Sequence, residues 1–307
     1  MNPAFSVVMF TTLIGAAQGL VVFLALTTLA GVALATSFAS TALLGAGLML
    51  IAGLGASFGH LGRPERAWRA AMMWRTSWLS REVIVLPTFI GVVALWWLSL
   101  RAGISTPLLP LAALVVAGLL WYCTAMIYAC LRFIQEWAQP LTPVNFVMLG
   151  LSSGLVLASA LAAWMGEAGL LRIAAPSALV VTLAALATRM LALRRNAAMK
   201  PRSTLQTATG IRSAQLVQKS MGMSAGSFNT REFFHGASLA ALRQIKSALI
   251  LLGFVLPALL LAWGIAAGST SCFVLAAIVQ APGLLADRWL FFAQAKHPQN
   301  LYYQVVS

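Results

Sequence analysis

Acidic residues are almost absent from this 307-residue chain, which has six Asp and Glu against twenty Lys and Arg. No charged side chain of either sign occurs between Met1 and Gly62. A soluble domain does not leave a stretch of that length uncharged, so the chain belongs among integral membrane proteins. The apolar runs lack period-two alternation, which argues against a transmembrane barrel. The first run has no basic segment before it and is too long for a cleaved signal peptide. Three cysteines give no disulfide framework. Cys123 and Cys130, seven apart and without a neighbouring histidine, are expected to be packing residues rather than ligands. The chain has no C-x-x-C, Walker loop, dinucleotide fingerprint or H-E-x-x-H, and therefore no built-in soluble redox cofactor site. Its histidines are His60, His235 and His297 only. No metal site and no haem are expected from them. No nucleic-acid recognition fold is evident, so nucleic acid is not an expected partner.

What remains is 61% hydrophobic and 8% charged. About 20 apolar residues in a helix cross a bilayer, so charge-free runs count as spans. The runs are 1–62, 83–100, 102–131, 137–166, 173–188 and 247–286. The first and last are long enough for two helices each, with breaks at Ala35-Thr36-Ser37 and Gly268-Ser269-Thr270-Ser271. The expected fold is all-α: one domain, 1–307, with eight transmembrane helices near 5–33, 38–59, 82–102, 108–133, 143–165, 171–193, 246–267 and 271–293. Pro87, Pro176, Pro257 and Pro282 fall inside spans, where neighbouring helices can re-satisfy the freed carbonyls. Gly53, Gly55 and Gly59 suggest a close-packing face on the second helix.

Eight spans put both termini on one side. Eighteen of the twenty Lys and Arg fall on that side, and only Arg101 and Arg172 on the other. The positive-inside rule then places both termini and the long loop 196–240 in the cytoplasm. With five acids there, that face carries a net +13, a surface for anionic lipid or an acidic partner.

Two loops on that face can carry chemistry. The first runs His60-Leu61-Gly62-Arg63-Pro64-Glu65-Arg66-Ala67-Trp68-Arg69, then Trp74-Arg75-Thr76-Ser77-Trp78-Leu79-Ser80-Arg81-Glu82. His60 ends the second helix and Glu82 starts the third, so the two can flank a shallow pocket at the membrane boundary. Imidazole can donate to a carbonyl and titrates near neutral pH. A carboxylate can relay a proton. Arg66 and Arg69, at i and i+3, can hold a polar head group. The structural alternative is ordinary: Trp68, Trp74 and Trp78 as interfacial anchors, their arginines snorkelling, His60 as a helix-end cap. The second loop ends in Asn229-Thr230-Arg231-Glu232-Phe233-Phe234-His235-Gly236. There Asn229 or Thr230 can cap a short helix, and Arg231, Phe233, Phe234 and His235 offer a docking surface for a peripheral subunit.

The stretch His60 to Ala67, followed by Ser77 to Glu82, resembles the membrane-anchor subunits of the dimethyl sulfoxide reductase family. The eight helices and the tail Asp287-Arg288-Trp289-Leu290-Phe291-Phe292 extend that resemblance over essentially the whole chain. It implies an anchor without haem in a heterotrimeric complex, holding an iron–sulfur subunit and a molybdopterin catalytic subunit. Electrons would pass between the clusters and a quinone, ubiquinone or menaquinone. The family's quinone site maps onto His60, Gly62, Arg66 and Glu82, with Arg69 and Trp78 beside it; His60 and Glu82 would act as the proton-handling pair. Some relatives use a tyrosine in the third helix, and none stands there here. Phe228 to Gly236 and the tail through His297 and Tyr303 are similar to anchors of cytoplasmic sulfite-oxidising molybdoenzymes. That implies partners on the cytoplasmic face of a bacterial inner membrane. Alternatives are a quinol-oxidising anchor of a dimethyl sulfoxide or other S/N-oxide reductase, a haem-binding cytochrome b, and a small-solute transporter. The last would show polar groups at mid-membrane and inverted repeats, which the spans do not clearly display.

The charge bias predicts that a reporter active only in the periplasm, fused after Ser307, stays inactive. Strong reporter activity would reverse the orientation.

Overall fold

The computed structural model describes residues 1–59, 61–220 and 234–302, apart from the side chains of Gln299 and Tyr302. Among the described residues there is no strand, and eight helices are long and apolar enough to cross a membrane. They are α1 (Phe5–Leu29), α2 (Thr36–Phe58), α3 (Trp78–Arg101), α4 (Leu108–Ala129), α5 (Leu141–Trp164), α6 (Ala168–Ala198), α7 (Leu239–Ala267) and α8 (Thr270–Ala293). The amino group of Met1 donates to the carbonyls of Ala293 and Ala295, at 3.1 and 3.0 Å. The start of α1 and the end of α8 therefore share one end of the bundle, called here the termini face.

Helix ends follow local chemistry. α1 stops at Leu29, short of 33, because Gly31 turns the chain with φ 73°, a left-handed value that costs glycine nothing. Gly268, φ 62°, does the same after α7. α3 starts at Trp78 rather than 82 because the Ser77 hydroxyl accepts the Ser80 N–H at 3.3 Å, an ordinary N-cap. α6 has 31 residues and is about 46 Å long, against a hydrocarbon core of about 30 Å. It overruns its expected end at 193 and carries Arg194 and Arg195 out of the apolar layer. Cys123 packs inside, but Cys130 lies just beyond the end of α4 and is exposed, so only the first is a packing residue.

α1 and α5 are the most enclosed spans, with 72% and 67% of their apolar stretches buried. They meet through glycine. A Cβ on Gly19 would lie 1.8 Å from the Gly150 carbonyl oxygen, and one on Gly154 would lie 2.1 Å from the Gly19 carbonyl carbon. Helices in lipid gain little from burying apolar surface against each other, so such backbone contact is what holds them. Close packing thus centres on α1 and α5 rather than on the second helix as a whole. A Cβ on Gly53 would lie 2.8 Å from Ile14 Cγ1, but nothing lies within 4 Å of a Cβ on Gly55.

α7 and α8 cross at a second glycine pair, where a Cβ on Gly283 would lie 2.1 Å from the Gly253 nitrogen. Here α7 passes through a π-helical turn, Leu251–Val255. Pro257, four residues after Gly253, has no N–H to donate, which orphans the Gly253 carbonyl. The Gln280 side chain of α8 reaches across and donates to it at 3.3 Å. Its Nε2 also donates to Ser152 at 3.0 Å, and Ser152 bonds Thr182 at 2.8 Å. A polar node joining α5, α6, α7 and α8 thus sits midway along these helices, where the hydropathy profile alone signals none.

Gly154→Val should destabilise the bundle by about 1–3 kcal/mol, as forced overpacking does, because only backbone faces the new side chain. Gly55→Val, facing open space, should not. Paired thermal unfolding in detergent checks this.

Candidate functional site

Glu82 lies in the first turns of α3, not at an exposed loop end. It is 4% exposed and accepts a hydrogen bond from the Thr124 hydroxyl of α4. It makes no ion pair among the described residues. A carboxyl held at the membrane boundary by one neutral donor can exchange a proton with a bound ligand, whereas a salt-bridged one is tied to its cation.

The segment before α3 packs against that helix. Pro64–Met73 is a 3₁₀ helix with no buried residue, and Trp68, Met72, Met73 and Trp74 are each more than half exposed. Its arginines stack on its tryptophans. The Arg69 guanidinium lies 5.5 Å from the Trp68 ring centre, Arg75 lies 5.4 Å from Trp74, and Arg81 lies 4.1 Å from Trp78. Arg81 also donates to the Trp74 and Arg75 carbonyls, each at 2.9 Å. It fastens the segment to the first turn of α3, one residue before Glu82. Arg66 faces its neighbour Glu65 at 3.8 Å on the surface, a pair worth about 0–1 kcal/mol. Trp78 meets Tyr122 of α4 edge-on, with ring centres 5.3 Å apart. A tyrosine of α4 therefore stands beside Trp78, although α3 has none.

Of the expected quinone set, Glu82, Trp78 and the aromatic neighbours come together. Arg66 and Arg69 lie on the exposed 3₁₀ segment, and Gly62 is exposed in the bend before it. His60 lies outside the described residues. Of the expected docking set, Arg231 and Phe233 lie outside them too. Phe234 and His235 are half-buried. His235 packs on Trp289 of α8, with ring centres 6.1 Å apart, and its Nδ1 accepts the Ala237 N–H at 3.0 Å. Burial, and then the nearby Met1 ammonium, pull His235 below the usual imidazole range.

Charge counting puts a second charged group, Arg189, Asp287 and Arg288, at the termini face with the loops and tail. The structure places it inside the bundle. Arg189 of α6 and Asp287 of α8 form an ion pair at 2.5 Å, with side chains 3% and 2% exposed. Arg288 is 4% exposed, and its guanidinium lies 3.9 Å from the Phe146 ring centre. The two described cavities lie here rather than beside Glu82. One is bounded by Glu136, Gln139, Asn145, Arg189, Asp287 and Arg288 among others. The other, lined by Thr11, Thr12, Gly15 and Ser153, shares Arg288 with it. The sequence signal exists: three charges inside predicted helices, which in a membrane default to a functional role. A tally by side hides it. Between the two charged regions stands Tyr128, in ring contact with Trp137, Phe146, Phe291 and Phe292.

The family model described as DMSO reductase anchor subunit (DmsC) matches residues 1–293. The chain is also 48% identical, over 326 aligned positions covering all of both chains, to a protein from Allochromatium vinosum named as the C subunit of sulfite dehydrogenase.

Arg189→Ala leaves Asp287 buried without its cation and should cost about 3–5 kcal/mol. Glu65→Gln on the surface should cost at most about 1 kcal/mol. Thermal or denaturant unfolding of the two variants side by side provides the measurement.

Proposed function

The chain belongs to the DMSO reductase anchor subunit family, and from that premise we propose that it is the quinone-reactive anchor of a sulfite-oxidising molybdoenzyme. The family implies an iron–sulfur subunit and a molybdopterin catalytic subunit as partners. The sulfite assignment is supported by the full-length relative from a sulfite dehydrogenase. On this reading the protein sits in a bacterial inner membrane with its termini face in the cytoplasm. The basic termini face, together with Arg231, Phe233, Phe234 and His235, docks the iron–sulfur subunit.

The observation that carries the quinone reading is Glu82. It is a buried carboxyl without an ion pair among the described residues, held by Thr124 at one end of the bundle, with Trp78 one turn before it carrying the Arg81 guanidinium on its ring. Two electrons arrive from the clusters, two protons from the protein, and quinone leaves as quinol. His60 donates to one quinone carbonyl, Glu82 passes a proton, and Trp78 and Tyr122 present ring faces to the head group. Arg66 and Arg69 hold the approach from the membrane surface. Gly62 leaves the loop's backbone accessible beside them. The chain needs no haem for this, since the partner's clusters deliver electrons one at a time.

Glu82→Gln keeps the shape and removes the ionisable group. Sulfite-to-quinone turnover of the assembled complex should fall by about 10²- to 10⁴-fold, as loss of a proton-transfer group does. Ferricyanide, which takes electrons from the partner subunits directly, should still be reduced at the normal rate. His60→Ala should act in the same direction. Normal quinone turnover in both variants would overturn the reading.

A further inference from the structure

A threonine hydroxyl inside a transmembrane helix has an acceptor at hand, the carbonyl three or four residues earlier on its own helix. Thr11, Thr27, Thr28, Thr88 and Thr188 all donate there. Thr124 of α4 departs from this pattern. Its proton crosses to Glu82 Oε1 on α3, and no bond to its own helix accompanies it among the described residues. Both side chains are buried, 6% and 4% exposed. Helix geometry alone does not account for a hydroxyl turned from its local acceptor toward a carboxyl on the next helix.

Among the described residues no other group donates to Glu82. Its neighbour Arg81 is engaged elsewhere. That guanidinium lies 4.1 Å from the Trp78 ring centre and donates to the Trp74 and Arg75 carbonyls, each at 2.9 Å. The second carboxyl oxygen of Glu82, Oε2, makes no hydrogen bond among the described residues, and it is not one of the fully enclosed unpaired polar atoms. The carboxyl is thus held by one oxygen and open at the other. With Oε1 fixed the planar group cannot swivel freely, and Oε2 is the atom left for a ligand.

We propose that Thr124 is the positioning residue for proton transfer at Glu82, holding Oε1 so that Oε2 meets the quinone and stabilising the carboxylate left behind. The inference rests on the quinone reading. In the step, the O–H bond at Glu82 Oε2 breaks and an O–H bond forms on one quinone oxygen. The partner's clusters supply the electrons, and His60 serves the other carbonyl. The negative charge then stays on a buried side chain. A donor hydroxyl favours that charged form, and a hydrogen bond to an ionised acceptor is stronger than one between neutral groups. A guanidinium in its place would fix the charge and oppose the proton's return. A neutral hydroxyl lets Glu82 be refilled between turnovers.

The test uses the assembled complex in membranes, with sulfite as donor and decylubiquinone as acceptor. Thr124→Val keeps the shape and removes the hydroxyl. Its kcat for quinone should fall by about 10- to 100-fold, the order expected for losing one hydrogen bond to a charged group. Quinone KM and ferricyanide reduction should stay unchanged, which also shows that the complex has assembled. Turnover should slow more in D2O than it does in the unaltered complex, because proton transfer has become limiting. Thr124→Ser restores a hydroxyl and should restore most of the rate. Thr88→Val, which removes a hydroxyl bonded to its own helix, should change nothing. Because Thr124 acts through Glu82, the double variant Glu82→Gln with Thr124→Val should be no slower than Glu82→Gln alone. A normal kcat in Thr124→Val, a loss that serine does not rescue, or a further loss in the double variant overturns the proposal. Glu82→Gln separates the two ideas. If it is slow while Thr124→Val is normal, only the role of Thr124 fails. If it is normal, the quinone reading fails and takes that role with it.

Discussion

The crossing of α1 and α5 is made where neither helix carries a side chain, and the other helices take their places from it. At Gly19, Gly150 and Gly154 the two backbones touch. Lipid tails are as apolar as leucine, so no hydrophobic penalty drives these helices together, and contact distance decides. α2 and α4 pack on α1, while α6 and α8 pack on α5. The same closeness brings Thr11 and Gly15 of α1 against Ser153 of α5 and Arg288 of α8. The polar interior at the termini face follows from a contact made of glycine.

The few acids are spent inside. Glu82, Glu136 and Asp287, half of all the acidic residues, are buried, and each is held differently. Glu82 has a hydroxyl donor, Glu136 a backbone N–H from the tail, and Asp287 a guanidinium. The basic excess is mostly outside, on loops and on the overrun of α6. Most of the cations set the surface field that a partner meets, while three carboxyls and two arginines, Arg189 and Arg288, make up the charged interior. A chain with more surface acids would blur both roles.

The eight spans can be read from sequence because a bilayer imposes one length on every apolar run, and turn glycines mark where long runs split. Glu82 stands out for its place in the motif, but its burial depends on Thr124, far along the chain on another helix. Arg189, Asp287 and Arg288 escape a linear count because such a count gives each charge to the nearest helix end. α6 outruns the apolar layer, so Arg189 is not at its end at all. The glycine contacts are hidden for a related reason. Gly19 and Gly154 look like any other small residues until their partners are known, whereas Gly53 and Gly55 form a motif of which only one member packs tightly. The node of Ser152, Thr182 and Gln280 is three isolated polar residues in the chain and one cluster in space.

The π-helical turn at Leu251–Val255 sets a phase relation between the two halves of α7. It holds one more residue per turn than the helix on either side, so Leu239–Ile250 and Leu256–Ala267 are out of step by roughly 100° compared with an unbroken α-helix. Deleting one residue here would give a regular α-helix with both halves still in their present phase, because the wide turn absorbs the extra residue. Closing the turn without that deletion would rotate Leu261 and Gly264, which face inward beyond the bulge, toward lipid, and exposed Leu259 and Trp263 would swing with them. Among related chains, one with a regular α-helix at this place should be one residue shorter here.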